Sequence, residues 1–377
     1  MTELASIRSA TAANLVFDSA ELQVIHSGGS SEFLLITFSA VNDLADGENF
    51  WGRNFSQQYG IDTLGFVAKR INFFPTRDVI NAIERLGSFL TPGRRVMTFG
   101  TSMGGYGALK HASRLRAECA LAFSPLYSVM ADDIAHFETR RLGMEQTEIS
   151  GGDAIQVDDL ASRNFVFFDP YSSDDNGHAQ LIARLSPRVI LMPAANTQHF
   201  PIALFAKSEP RRQLLDLALK GDAAAIRDLA QKQRRLSPIR VFTLIQRLAH
   251  LDPDVARRML RHYSAQLFSQ SSPSSSDVGQ AEFNRVGFKF AARLGDIASE
   301  LEEHDLAVRC AEMAVMLAPA QNAPHECLVR VLLRAGRSAE ARAAASRACE
   351  YFPSSQTFLE ILTRTENSDG RDGRATE

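Results

Sequence analysis

Three features of the stretch VMTFGTSMGGYGALK, residues 96–110, put a serine where it can act as a nucleophile. An apolar run ends at Phe99, the glycine-flanked turn Gly100-Thr101-Ser102-Met103-Gly104 follows, and a segment rich in small residues comes next. That succession predicts strand, sharp turn and helix. A serine on such a turn holds a strained backbone so that its Oγ stands clear above a sheet edge. Glycines two positions before and after it remove the side chains that would collide across the turn. The helix that follows aims its free N–H groups, and the positive end of its dipole, at the reacting atoms. The chemistry this suits is acyl transfer through a covalent serine intermediate.

Gly-x-Ser-x-Gly in this setting, here with Ser-Met-Gly-Gly-Tyr at 102–106, resembles the α/β-hydrolase family, and the resemblance covers about residues 20–205. It implies a catalytic triad in chain order nucleophile, acid, histidine. By that order the histidine follows the last strand, Val189–Met192. His199, in Pro-Ala-Ala-Asn-Thr-Gln-His-Phe, falls there, placed to take the Ser102 proton and return it to the leaving group. Of the nine histidines, His26, His111 and His136 precede the turn or lie too near it, and His250, His262, His304 and His325 belong to a helical region. His178 also follows a strand, but it opens a helix. The acid is expected in the loop after the strand Phe165–Phe168, which holds Asp169, Asp174 and Asp175. Asp175, just before the next helix, is the leading candidate. Asp169 and Asp174 stay open as alternatives, Asp169 also as a brace for the loop. For the oxyanion hole the resemblance implies the backbone N–H of Met103 and a second from the loop after Phe33–Phe38. Ala40 is the candidate there, since Ser39-Ala40 stands in place of the family's common His-Gly pair.

The elements that must position these residues are legible as short apolar runs alternating with helical segments, the mark of an α/β sheet. Strands are expected at Leu22–His26, Phe33–Phe38, Thr63–Val67, Val96–Phe99, Ala120–Phe123, Phe165–Phe168 and Val189–Met192, with helices at Arg77–Leu90 and Gly107–Arg116. Near-continuous apolar runs suit central parallel strands covered on both faces. The expected fold is therefore a mostly parallel sheet flanked by helices, over 1–207. The 126–162 excursion is longer than a crossover needs and reads equally as a lid or a surface detour. Phe50, Trp51 and Phe55 read first as core or lid and second as an acyl pocket. Lys69-Arg70 ends a strand near the expected rim.

From Glu209 the strand signals stop. A helical connector is expected at 208–268, a serine-rich linker at 269–280 (SQSSPSSSDVG over 269–279), helical repeats at 281–365 and a disordered tail at 366–377. Leu294, Ala307, Ala314 and Pro319 recur 34 positions on as Leu328, Ala341, Ala348 and Pro353. The period and residue types resemble the tetratricopeptide repeat, with Gly295 at the family's small position and Val329 departing from it. The resemblance implies an all-α domain that docks a partner protein or self-associates.

A formal net charge of −3 gives no electrostatic reason to expect nucleic acid. No signal peptide, membrane span, dinucleotide fingerprint or metal-ligand cluster is read, so no cofactor or metal is expected. Four cysteines without framework spacing read as reduced thiols, which points to the cytoplasm. The expectation is a serine esterase or acyl hydrolase acting on a small-molecule acyl ester. The rivals are an acyltransferase using the same triad, a peptidase, or a repeat scaffold with a vestigial hydrolase domain.

Overall fold

The apolar runs become the inner strands of one eight-stranded sheet. In the computed structural model, which describes residues 14–139, 150–269 and 278–369, the chain divides into two units at Ser237/Pro238. The first unit contains β1 (Asn14–Asp18), β2 (Leu22–Ser27), β3 (Phe33–Phe38), α1 (Arg53–Tyr59), β4 (Asp62–Ala68), α2 (Thr76–Arg85), β5 (Arg95–Thr101), α3 (Met103–Lys110) and β6 (Cys119–Phe123). It continues with α4 (Ala131–Ile134), β7 (Arg163–Phe168), α5 (Ser173–Leu185), β8 (Val189–Pro193), α6 (Ser208–Lys220) and α7 (Ala223–Leu236). The strand order is β1-β2-β4-β3-β5-β6-β7-β8, with β2 antiparallel to both neighbours and β3 to β8 all parallel. This mixed sheet flanked by helices fits an α/β-hydrolase fold.

Alternation along each strand divides the core in two. Leu34, Ile36 and Phe38 of β3 face one side, with Val79 of α2, Tyr106 of α3 and Ile182 of α5. Phe33 and Leu35 face the other, with Phe55 of α1, Leu214 and Leu215 of α6 and Ile226 of α7. Chain direction explains the split. From β3 the chain steps outward through α1 to β4, then returns over β3 through α2 to β5, and right-handed crossovers in opposite directions place their helices on opposite faces. The C-terminal ends of β3 and β5 therefore flank the point where strand order reverses, where such sheets open a crevice.

Several expectations shift. β1 was not among the expected strands: its apolar run, Leu15-Val16-Phe17, is only three residues long and lies half-exposed at the sheet edge. The helix expected at Gly107–Arg116 starts earlier, at Met103, since Gly104, Gly105 and Gly107 allow close packing rather than breaking the helix. The helix expected to reach Leu90 ends at Arg85. α6 and α7, which fall in the stretch expected as a helical connector, lie within the first unit and pack on the second sheet face beside α1.

The second unit is helical: α8 (Pro238–Leu251), α9 (Pro253–Ser269), α10 (Val278–Glu300), α11 (His304–Leu317), α12 (Asn322–Arg334), α13 (Ser338–Tyr351) and α14 (Gln356–Asp369). The linker expected at 269–280 falls largely on residues 270–277, outside the described ones, as do 370–377 of the expected tail. Both ends of α13 lie 34 positions beyond those of α11. Ala307, Ala311 and Ala314 are buried in α11, and Ala341, Ala345 and Ala348 in α13. Leu294 and Leu328 share their core, and Pro319 and Pro353 each follow the residue that caps a helix. Among the described residues no helix is long and apolar enough to cross a membrane.

Candidate active site

Ser102 occupies the single residue between β5 and α3, at φ 54° and ψ −120°. An L-residue adopts this conformation only under constraint from its surroundings. The glycines two positions away supply that constraint. A Cβ on Gly100 would lie 2.1 Å from the Gly104 carbonyl oxygen, and one on Gly104 would lie 2.3 Å from that of Phe38. The turn is thus closed on itself and pressed against the end of β3. The Ser102 N–H donates to the Phe123 carbonyl (2.8 Å), tying the turn to the end of β6. The helix behind it is held as well: Lys110, at the end of α3, pairs with Asp153 (2.6 Å) and Asp159 (3.1 Å). Burial pushes the Asp159 carboxyl up, but the Gln156 N–H and the Arg114 and Lys110 cations outweigh it and hold it below its ordinary range.

His199 stands on the loop after β8. Its Nε2 lies 3.0 Å from Ser102 Oγ and its Nδ1 lies 2.8 Å from Asp175 Oδ1. A carboxylate only accepts, so Nδ1 carries the proton and Nε2 is the acceptor for the serine O–H. The Asp175 side chain is buried and that of His199 is 28% exposed. Asp175 Oδ2 accepts from the hydroxyl of Ser124 (3.2 Å), a buried residue at φ 41° directly after β6.

The three aspartates separate by partner. Asp174 and Asp175 lie in the first turn of α5, capped by Ser172, rather than in a preceding loop. Asp174 accepts from the Thr139 N–H and Oγ1 (both 3.1 Å). Asp169 accepts from the N–H groups of Tyr171 (3.0 Å) and Gln198 (2.7 Å). Asp175 is the aspartate bonded to the His199 ring. His178 is fully buried within α5: Nδ1 accepts from the Tyr127 N–H (3.0 Å), so Nε2–H donates to Glu138 (2.8 Å). It braces the chain after β6 against α5.

In the loop after β3, the Ser39 N–H donates to the Phe66 carbonyl (3.0 Å) and its hydroxyl accepts from the Ala68 N–H (3.1 Å). The Ala40 carbonyl accepts from Asp43 (3.0 Å). Met103 is the first residue of α3, where N–H groups have no intrahelical acceptor. Trp51 stacks on Phe99 (4.7 Å), and the Arg211 guanidinium lies over Trp51 and Phe55, so these rings belong to the second-face core. Phe50 packs with Ile25 and Val67. Lys69 pairs with Asp18 and Arg70 with Glu21. The excursion expected over 126–162 includes residues 140–149, outside the described ones. Among the described residues no cluster of His, Cys, Asp and Glu can hold a metal ion. Ser124 and Glu138 were not singled out in the sequence, and neither has a motif around it.

No family model and no curated protein matches the chain. Solved structures do. The capsule O-acetyltransferase of Neisseria meningitidis serogroup A is 15% identical, with 53% of this chain and 93% of that one covered and a TM-score of 0.39. An α/β serine hydrolase without lid from Xanthomonas campestris is 15% identical, with 63% and 99% covered and a TM-score of 0.32. MenH from S. aureus is 12% identical, with 54% and 99% covered and a TM-score of 0.35.

Proposed function

We propose that this chain is a serine acyl hydrolase that cleaves a carboxylic ester through an acyl-Ser102 intermediate. The observation that carries this reading is the continuous hydrogen-bonded line from Ser102 Oγ through both His199 nitrogens to the buried Asp175. As Oγ bonds to the acyl carbon, the serine proton passes to His199 Nε2 and the carbonyl electron pair moves onto its oxygen. Collapse of that intermediate expels the alcohol, which takes the proton from Nε2. Water then attacks the acyl carbon, gives its proton to Nε2, and the acid departs as the proton returns to Oγ. Asp175 accepts from Nδ1–H throughout and stabilises the imidazolium.

The developing oxyanion is assigned to the N–H groups of Met103 and Ala40, each contributing about 2.7–4 kcal/mol. With Ser39's amide bonded to Phe66, Ala40 is the next candidate along that loop. The reaction needs no cofactor. The 34-residue recurrence of α11 in α13 supports a tetratricopeptide-like reading of the second unit, which would take a protein partner or a second copy.

The test is labelling with a fluorophosphonate probe beside Ser102→Ala and His199→Ala, then p-nitrophenyl esters of rising acyl length. Labelling of the wild type alone is expected. A folded wild type that stays unlabelled, or Ser102→Ala labelled equally, would sink the reading. Ester product formed only when an acceptor alcohol is added would make the enzyme an acyltransferase with the same intermediate.

A further inference from the structure

The site contains a second buried carboxylate that the mechanism above does not use. Asp169, at the end of β7, is 2% exposed. One of its oxygens accepts from the Gln198 N–H (2.7 Å), the residue just before His199, and the other from the Tyr171 N–H (3.0 Å). Its backbone carbonyl accepts from the N–H of Ser172 (3.1 Å), and Ser172 caps the helix that carries Asp175. One side chain therefore ties together the loop that holds the base and the turn that launches the acid.

The loop has a reason to need it. Gln198 has φ 50° and Asn196 has φ 63°, two non-glycine residues in the left-handed region within three positions. That path holds only where surrounding contacts over-determine it. Other contacts of the loop include Ala194 N–H to Phe168 (2.7 Å), Thr197 Oγ1 to Ala194 (2.6 Å), Phe200 N–H to Thr197 (3.1 Å) and the Arg234 guanidinium to the Ala195 carbonyl (3.5 Å). The bond to Asp169 is ionic, short and adjacent to the histidine, which makes it the strongest type in this set.

We infer that Asp169 is a positioning residue for His199, setting the ring's place between Ser102 and Asp175 through the backbone of Gln198. The inference rests on the serine-hydrolase reading and adds a division of labour to it: Asp175 orients the imidazole ring, and Asp169 orients the loop. A carboxylate suits the task because it offers an acceptor to each of two backbone N–H groups. An asparagine offers one oxygen and turns an NH2 group toward the other donor.

The experiment compares wild type, Asp169→Asn and Asp175→Asn by fluorophosphonate labelling rate, by kcat and KM on a p-nitrophenyl ester, by thermal unfolding, and by NMR of the His199 Nδ1–H proton. Asp169→Asn is nearly isosteric and should unfold within a few degrees of wild type. Its labelling and kcat should fall on the order of 10- to 100-fold with KM little changed, as for a misplaced catalytic group. The Nδ1–H signal should broaden or shift. Wild-type rates with an unchanged Nδ1–H signal would overturn the inference. So would a loss of rate that only tracks the fraction unfolded. If the wild type itself does not label, the hydrolase reading fails, and the NMR comparison still decides whether Asp169 positions the ring.

Discussion

The two units of this chain differ in where they hold strained backbone. Among the described residues, Phe73, Phe74, Ser102, Arg116, Ser124, Asn196 and Gln198 of the first unit have positive φ without being glycine, whereas the second unit has Glu302 alone. Four of those seven, Ser102, Ser124, Asn196 and Gln198, belong to the hydrogen-bonded line or to the segments that hold it. The second unit builds its core from alanines and leucines at a repeating helical spacing, each helix packing on its sequence neighbour. Local contacts of that kind ask nothing unusual of the backbone. A sheet whose strand ends converge from distant parts of the chain can impose a conformation that no local segment would choose. Such imposed strain tends to gather at functional sites.

This contrast can be broken or sharpened in several ways. The largest effect should come from Ser102→Ala, which should lower ester turnover by about six orders of magnitude, and Asp175→Asn by about four. Steady-state assays beside Asp174→Asn check the assignment, since Asp174 holds Thr139 and its replacement should leave most activity. Next comes Gly104→Ala. Its new Cβ would meet the Phe38 carbonyl at 2.3 Å, so the first unit should lose about 3 kcal/mol or more. The protein's one tryptophan, Trp51, lies in that unit, so fluorescence-monitored urea unfolding reports on it directly.

Acid should act next. His111, just after α3, is fully buried, and burial lowers its pKa from the ordinary 6.5 to about 4. The neutral ring is the folded form. The stability it contributes is complete above pH 6.5 and is lost as pH falls toward 4, where the unfolded chain binds a proton that the folded one does not. Over that window the first unit should lose about 3 kcal/mol. Burial pushes the thiols of Cys310 and Cys327 in the second unit up to about 12, so they stay protonated throughout and contribute no such loss. A flat tryptophan-detected stability between pH 7 and 4.5 would contradict the assignment to His111. The smallest effect is expected from Ala341→Leu. Overfilling that fully buried position should cost the second unit about 1–3 kcal/mol in circular dichroism melts while Ser102 labelling stays at the wild-type rate.

Legibility followed the range of the contacts. The strand, turn and helix around Ser102 could be read because all three lie within fifteen residues and use the period of apolar runs and the placement of glycines. The 34-residue recurrence was readable for the same reason. β1 was not, since it is a short edge strand whose one strand partner is β2. Nor was the role of α6 and α7 visible, because a helix that covers a sheet has the same amphipathic pattern as one that packs in a helical stack.

What the amino-acid order determined by itself is the alternating architecture, the sharp turn at Ser102 and the placing of His199 after the last strand. Only the tertiary structure separated Asp169, Asp174 and Asp175, three carboxylates within seven positions. Their partners Gln198, Thr139 and His199 lie 29, 35 and 24 residues away. A carboxylate's role depends on which donor reaches it, and donors that far along the chain arrive only when the strands carrying them have been laid side by side.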